Sequence, residues 1–445
     1  MPVRKPLVLA ICCMSLFIVG LDATIVNLAL PSIRAELGAS VTGLQWTVDA
    51  YTLVIAALLV LSGSTADRLG RRRTFQVGLV LFSIGSLLCS IASTVGLLIA
   101  ARMVQAVGGS MLNPVAMSII TNTFTEKRER ARAIGVWGGV VGLSMAAGPL
   151  VGGALVETIG WRSIFWLNVP VGVLAVVLTA LFVPESRADR PRRLDPVGQL
   201  LVILILAGTV FGIIEGHGKG WTSPLIIGSF AVAVLSLLAL LRYEPRREDP
   251  LLDLRFFRSV PFSGATVIAV CAFASLGGFL FLNSIYLQET RGFSALHAGL
   301  LTLPMAAMTA VFAPISGRIV GTWGARVPLV IAGIGLAVAG VLLTTLTPTT
   351  PIALLVTAYA AFGIGFGMVN APITNTAVSG MPVAQAGVAA AIASTSRQVG
   401  AALGVAVLGA FAGSAAGFWI IAACGVAVGA LGLATTSQRA LKSVL

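Results

Sequence analysis

Runs of about twenty apolar residues recur from one end of this chain to the other, and each is long enough to cross a bilayer as a helix. Inside hydrocarbon every backbone N–H and C=O must be paired within the segment or in a closed barrel. Such a chain therefore folds as packed membrane helices. The runs fall near residues 7–30, 43–64, 74–92, 95–123, 132–156, 163–183, 197–215, 223–242, 261–287, 297–320, 327–346, 352–378, 387–411 and 416–434, fourteen in all. Of the 445 residues 57% are apolar and 10% charged, with a mean hydropathy of +0.99. Soluble domains carry about 25% charged residues. The expected class is an all-α polytopic membrane protein with little chain left for a soluble domain. Residues 1–20, basic and then apolar, have the outline of a signal peptide. The apolar run continues past Asp22 to Leu30, so it reads as an uncleaved first span. Pro114 and Pro372, inside spans four and twelve, predict kinks.

Charge sets the orientation. With both termini cytoplasmic, inner loops and tails hold 23 of the 29 Lys and Arg, including Arg190, Arg192, Arg193, Arg439 and Lys442. The outer loops hold four, Arg34, Arg162, Lys219 and Arg291; Arg102 and Arg397 lie inside spans. Lys and Arg concentrate on the cytoplasmic side of membrane proteins. The bias supports an even number of spans and explains the net charge of +13 without a nucleic-acid partner. A multi-pass protein of the plasma (inner) membrane, monomeric and surrounded by lipid, is expected. Cys12, Cys13, Cys89, Cys271 and Cys424 all fall in apolar runs without metal-ligand spacing and read as small hydrophobes. No phosphate-binding Gly-x-x-x-x-Gly-Lys loop, His/Cys cluster or Gly-x-Ser-x-Gly elbow occurs. No metal, cofactor or catalytic residue is expected, and an enzyme is not. Transport would draw on an ion gradient or on the substrate's own.

The chain repeats itself. Gly63-Ser-Thr-Ala-Asp-Arg-Leu-Gly-Arg-Arg-Arg73 has a weaker copy in Gly317-Arg-Ile-Val-Gly-Thr-Trp-Gly-Ala-Arg326. Gly63, Gly70 and Arg72 map onto Gly317, Gly324 and Arg326, whereas Gly321 stands opposite Asp67. Ile120-Thr-Asn-Thr123 recurs as Ile373-Thr-Asn-Thr376. Offsets of 254 and 253 indicate two related halves, a common plan in secondary transporters. The longest polar stretches, 184–196 and 243–261, flank spans seven and eight. The expected domains are a six-helix bundle over 1–184, an inserted two-helix hairpin with its linkers over 185–258, and a second six-helix bundle over 259–445, a 6+2+6 arrangement.

These stretches resemble a known family. The 63–73 loop is similar to the loop between helices two and three of the major facilitator superfamily. Leu21-Asp-Ala-Thr-Ile-Val-Asn-Leu-Ala-Leu-Pro31 resembles the first-helix motif of its fourteen-helix drug:proton antiporters. Arg102-Met-Val-Gln-Ala-Val-Gly-Gly109 resembles the fourth-helix motif, with Ala106 in place of a glycine. Gly138-x-x-x-Gly142 with Ala147-Gly-Pro-Leu-Val-Gly-Gly153 resembles the fifth-helix antiporter motif, and Ser396-Arg-Gln-Val-Gly-Ala-Ala-Leu-Gly404 the thirteenth-helix signature. The resemblance covers nearly the whole chain. Two departures are the short loop around 413–417 and the lack of any Asp or Glu within spans nine to fourteen. It implies the major facilitator fold and export of lipophilic drugs or antibiotics in exchange for protons by alternating access. Alternatives are a dedicated metabolite exporter or facilitator of the same fold, or a non-transporting membrane sensor.

The chemistry rests on few residues. Asp22 sits in an apolar span, where a charge costs about 2.5–3.5 kcal/mol on insertion scales. It is either a protonatable site or an acid that caps locally near the outer boundary. Asp49 is either a second proton carrier or an acid that neutralises a neighbouring helix. Arg102, Gln105, Gly109 and Asn113 share one helical face by three-four spacing. A buried arginine needs a carboxylate, and Asp22 and Asp49 are the candidates. Asp22, Asp49 and Arg102 are therefore the candidate proton-coupling residues. Asn27, Gln105, Asn113, Arg397, Phe362 and Phe366 are the candidate substrate contacts. Arg397 either meets a polar substrate group or hydrogen-bonds helix carbonyls. Gly63, Asp67, Arg68, Gly70, Arg71 and Arg72 form the candidate cytoplasmic latch, which in the family stabilises an outward-open state; plain positive-inside topology is the alternative for the arginines. Gly138, Gly142, Gly148, Pro149, Gly152 and Gly153 are candidates for close helix packing.

Overall fold

The computed structural model describes residues 4–188, 194–378 and 383–437. The loop arginines Arg190, Arg192 and Arg193 and the tail residues Arg439 and Lys442 lie outside the described residues. The helices are α1 (Lys5–Leu37), α2 (Val41–Leu69), α3 (Arg71–Ser90), α4 (Val95–Thr123), α5 (Lys127–Thr158), α6 (Ser163–Trp166), α7 (Asn168–Phe182), α8 (Pro196–Lys219), α9 (Pro224–Tyr243), α10 (Val260–Ile285), α11 (Ala295–Trp323), α12 (Arg326–Leu343), α13 (Ile352–Val378), α14 (Val383–Gly409) and α15 (Ala416–Thr435). They make fourteen spans long and apolar enough to cross a membrane, with α6 and α7 counted as one.

Local chemistry explains the ends. Ser40 and Thr94 cap α2 and α4 by accepting hydrogen bonds from the Gly43 and Leu97 N–H at 3.1 and 3.2 Å. The hydrogen-bond ladder of the sixth span breaks at Leu167, because Pro170 has no N–H to give the Trp166 carbonyl. Leu167 keeps helical dihedrals (φ −56°, ψ −35°), so direction is retained. Helices α4 and α13 run continuously through Pro114 and Pro372. Helix α8 extends through Lys219, which pairs with Glu215 at 3.1 Å, so Lys219 is a helical rather than a loop residue.

The chain packs into two compact units, one of Met1–Gln199 with Ser294–Gly299 and one of Leu200–Phe293 with Leu300–Leu445. Both use the same pairings. In the first, α1 packs on α5, and α3 on α4 and α7. In the second, α10 packs on α14, and α12 on α13 and α15. Small residues permit these contacts. A Cβ on Gly85 would stand 2.4 Å from the Gln105 Cα, and one on Gly404 would stand 2.1 Å from the Ala274 carbonyl oxygen.

Candidate functional site

Arg102 lies two turns into α4 and is almost completely buried, with 1% of its surface exposed. Its Nη1 donates to Asp22 Oδ2 at 2.5 Å and to Gln105 Oε1 at 2.6 Å. Its Nε donates to the Thr47 carbonyl at 3.3 Å. The guanidinium lies 4.0 Å from the Tyr51 ring centroid and 5.8 Å from that of Phe165. Three of its five N–H donors therefore meet acceptors, and two aromatic rings lie within cation–π distance of its guanidinium.

Asp22 is buried to the same degree. Besides Arg102, its Oδ1 accepts from Gln105 Nε2 at 2.9 Å and from Asn168 Nδ2 at 3.1 Å. Both amides also donate to Ser86 Oγ, at 2.7 and 3.3 Å. The close approach of α3 to α4 at Gly85 brings Ser86 within reach, and Asn168 opens α7 just after the Leu167 break. The cluster thus joins α1, α2, α3, α4 and α7 around one ion pair. A buried pair is matched to its hydrogen bonds, and removal of one partner costs about 3–5 kcal/mol.

Asp22 is the carboxylate that Arg102 holds, and Asp49 is not. Asp49 is fully buried, and neither of its carboxyl oxygens has a hydrogen-bond partner among the described residues. Asn113 is only half-buried, with Oδ1 unpartnered, and lies outside the cluster. Asn27 is buried and donates to the Ala23 carbonyl at 3.2 Å.

At the α2–α3 junction, Arg71 pairs with Asp67 at 2.9 Å. Arg68 is exposed, and Gly63 has open space around it. The acid that holds the start of α3 is Glu185. It accepts from the Arg72 and Arg73 N–H at 3.1 and 3.3 Å, satisfying donors that a helix start otherwise leaves open. The Arg71 N–H donates to the Ser186 carbonyl at 2.9 Å, and the Ala188 N–H to that of Asp67 at 3.1 Å. Gly70 has φ of 112°, and a Cβ there would lie 2.6 Å from the Glu185 carboxylate, so both backbone and space require glycine.

The fifth-helix residues divide. A Cβ on Gly148 or Gly152 would run into Thr24 or Ile25 of α1, and one on Gly153 would stand 2.7 Å from the Ala295 carbonyl oxygen. The Pro149 carbonyl oxygen lies 2.2 Å from where a Gly299 Cβ would stand. Gly138 and Gly142 have nothing within 4 Å.

In the second unit the buried centre is aromatic. Phe279 stacks on Phe362 at 4.6 Å between centroids, Phe362 on Phe366 at 6.5 Å, and Phe273 meets Phe366 edge-on at 5.1 Å. Tyr359 meets Phe279 edge-on at 5.4 Å and donates to Asn283 Oδ1. Arg397 donates to Thr374 Oγ1 at 2.5 Å and lies 5.9 Å from the Phe273 centroid.

Asn168, Ser86, Tyr51 and Glu185 were not singled out by the motifs. An amide inside the apolar run 163–183 was the available signal for Asn168, and the open N–H groups of α3 were the signal for Glu185.

A family model described as Major Facilitator Superfamily matches residues 12–405. The chain is 36% identical over 396 residues to Multidrug resistance protein Stp of Mycobacterium tuberculosis, covering 89% of this chain and 74% of that one. It is 36% identical over 414 residues to the Tetracenomycin C resistance and export protein of Streptomyces glaucescens, covering 93% and 76%. It is 35% identical over 393 residues to the Methylenomycin A resistance protein of Streptomyces coelicolor, covering 87% and 82%. A solved POT family transporter in complex with 5-aminolevulinic acid shares the fold, with a TM-score of 0.72 and 16% identity over 96% of this chain and 94% of that one.

Proposed function

Because this chain belongs to the Major Facilitator Superfamily and is a membrane transporter rather than an enzyme, we propose that it exports lipophilic drugs or antibiotics in exchange for protons. The relatives named for multidrug, tetracenomycin C and methylenomycin A resistance support the substrate class. The buried Asp22–Arg102 pair carries the proton reading. Separating the pair leaves an uncompensated carboxylate in a dry site, and protonation removes that cost. A conformational step that moves Arg102 away from Asp22 thereby becomes a step that takes up a proton. Asp49, without an ion-pair partner to lose, is the second proposed proton site.

Both termini are proposed to be cytoplasmic in the plasma (inner) membrane, on the Lys and Arg bias. The 1–184, 185–258 and 259–445 organisation is proposed on the internal repeat, and the working state is a monomer. Asn27, Gln105, Asn113, Arg397, Phe362 and Phe366 are proposed to meet substrate, and the Asp67 junction to bias one of two states. With no acid in spans nine to fourteen except Glu289 at the end of the ninth, neutral or singly charged amphiphiles are the expected substrates.

The test is export by the full-length protein in proteoliposomes, with a panel of lipophilic compounds and an imposed pH gradient. Export should stop when a protonophore collapses the gradient, and Asp22→Asn should abolish gradient-driven export while remaining in the membrane. Transport that ignores the gradient would identify a facilitator, and full activity of Asp22→Asn would remove Asp22 from the coupling.

A further inference from the structure

Every group that touches the Asp22 carboxylate is a donor: Arg102 Nη1, Gln105 Nε2 and Asn168 Nδ2. That shell suits a carboxylate. It does not suit a carboxylic acid, whose O–H needs an acceptor. The acceptors already in the cluster are engaged. Gln105 Oε1 takes Arg102 Nη1, the Thr47 carbonyl takes Arg102 Nε, and Ser86 Oγ takes both amides. Two are idle among the described residues of the cluster, Tyr51 Oη and Asn168 Oδ1, and of these only Asn168 already bonds to Asp22. Asn168 Oδ1 is buried and has no partner, although the residue is 1% exposed. An idle buried acceptor is costly and uncommon.

We propose that Asn168 is the hydrogen-bond switch that lets Asp22 hold a proton: its amide donates to the carboxylate in one state and, turned over, accepts from the carboxylic acid in the other. This rests on the reading that Asp22 exchanges protons. The terminal torsion of asparagine is broad and roughly two-fold, so a half-turn replaces Nδ2 by Oδ1 without moving the backbone. Ser86 Oγ keeps its 2.7 Å bond from Gln105 when the Asn168 bond is lost. The step balances simply. Hydronium gives its proton to Asp22 Oδ1 and leaves as water; the new O–H donates to Asn168 Oδ1; release to water reverses both changes. Asn168 is thus a positioning residue and never carries the proton.

The other charged or titratable groups around Asp22 are Arg102 from α4, Tyr51 from α2 and Cys89 from α3. Asp49, also on α2, is hydrogen-bonded to none of them. The charged residues of α5 are confined to its first two turns and to Glu157 at its far end, and α6 and α7 contain none.

The test reads the proton directly and needs no substrate. Infrared difference spectra of the full-length protein in lipid vesicles are recorded against pH, and the carboxylic-acid carbonyl band absent from Asp22→Asn is followed. In Asn168→Leu the ionised form keeps Arg102 and Gln105 but loses the Asn168 donor, and the acid loses its acceptor. The bond to the charged form is the stronger, so the midpoint should move to higher pH by about half a unit to one unit, less than the shift of about one to two units expected of an amide that only donates. Asn168→Gln should recover part of that shift. A merely structural asparagine would lower the yield of folded protein and leave the midpoint in place. In the unmutated protein, an isotope-labelled asparagine carbonyl band must titrate together with the Asp22 band, which keeps the test valid if the variants do not fold. An Asp22 band whose midpoint ignores Asn168, or which titrates with no asparagine band beside it, overturns the switch and leaves the proton reading standing. Loss of no band in Asp22→Asn overturns the proton reading itself, and the switch with it.

Discussion

The two units pair their helices alike and fill the centre with opposite chemistry. In the first, the contact of α3 with α4 has a buried ion pair and three neutral polar side chains beside it. In the second, the contact of α12 with α13 lies beside a column of phenylalanines. The offset of 253 that relates α4 to α13 places Ala358 opposite Gln105. One amide bonds to a carboxylate; its counterpart is a buried methyl group. The difference teaches that small residues set which helices meet, since close backbone approach is what holds helices together in lipid. The central side chains are then free to diverge.

Three experiments can break or sharpen that contrast. The largest effect is expected from Arg102→Ala, which strands Asp22 and should cost about 3–5 kcal/mol. Thermal unfolding of the purified protein should show most of this stability returning in the Arg102→Ala, Asp22→Asn double variant, while export does not return. Wild-type stability of Arg102→Ala alone would mean that the first unit does not depend on its charges.

An intermediate effect should be common to both halves. Gly85→Val and Gly404→Val each force a side chain into backbone and should each cost about 1–3 kcal/mol, measured in the same way. Gly138→Ala, with open space around it, should change stability by no more than about 0.5 kcal/mol. If Gly404→Val were harmless, the shared rule of packing would fail in the second unit.

The smallest effect belongs to the loops, where Asp67 faces Arg71 and the second half has Gly321. Asp67→Asn should cost only about 0.2–1 kcal/mol, because the pair is partly exposed and joins the ends of α2 and α3 across Gly70. Export should slow while substrate binding, followed by fluorescence quenching, survives. A parallel collapse of binding would move Asp67 from the proposed latch into the fold.

The spans were legible because hydropathy acts over long windows; 95–123 and 352–378 match α4 and α13 residue for residue. The sixth span was read whole, although Pro170 alone interrupts its ladder, because apolar length does not register a single missing donor. The Arg102 partner was narrowed to two acids by the cost of a lone buried charge. The choice of Asp22 needed the helix positions. Asn168 and Glu185 were out of reach for the same reason. Each acts on groups more than a hundred positions away, and a count of charges per loop says nothing about which backbone N–H groups a carboxylate covers. The fifth-helix motif was read as one packing surface, yet only part of it touches another helix.

The side chains that bond to Asp22 lie at 102, 105 and 168, with Ser86 accepting from two of them, and the clamp on α3 is complete by Ala188. Synthesis runs N-terminus first, so all of these groups are made before spans nine to fourteen. The buried ion pair therefore belongs wholly to the early chain, whereas Arg397 is an in-span charge of the later one. What is made later, spans nine to fourteen, brings one acid, Glu289, at the end of the ninth. The order of manufacture and the distribution of charge agree: the half that most needs its neighbours during insertion is the half that meets them first.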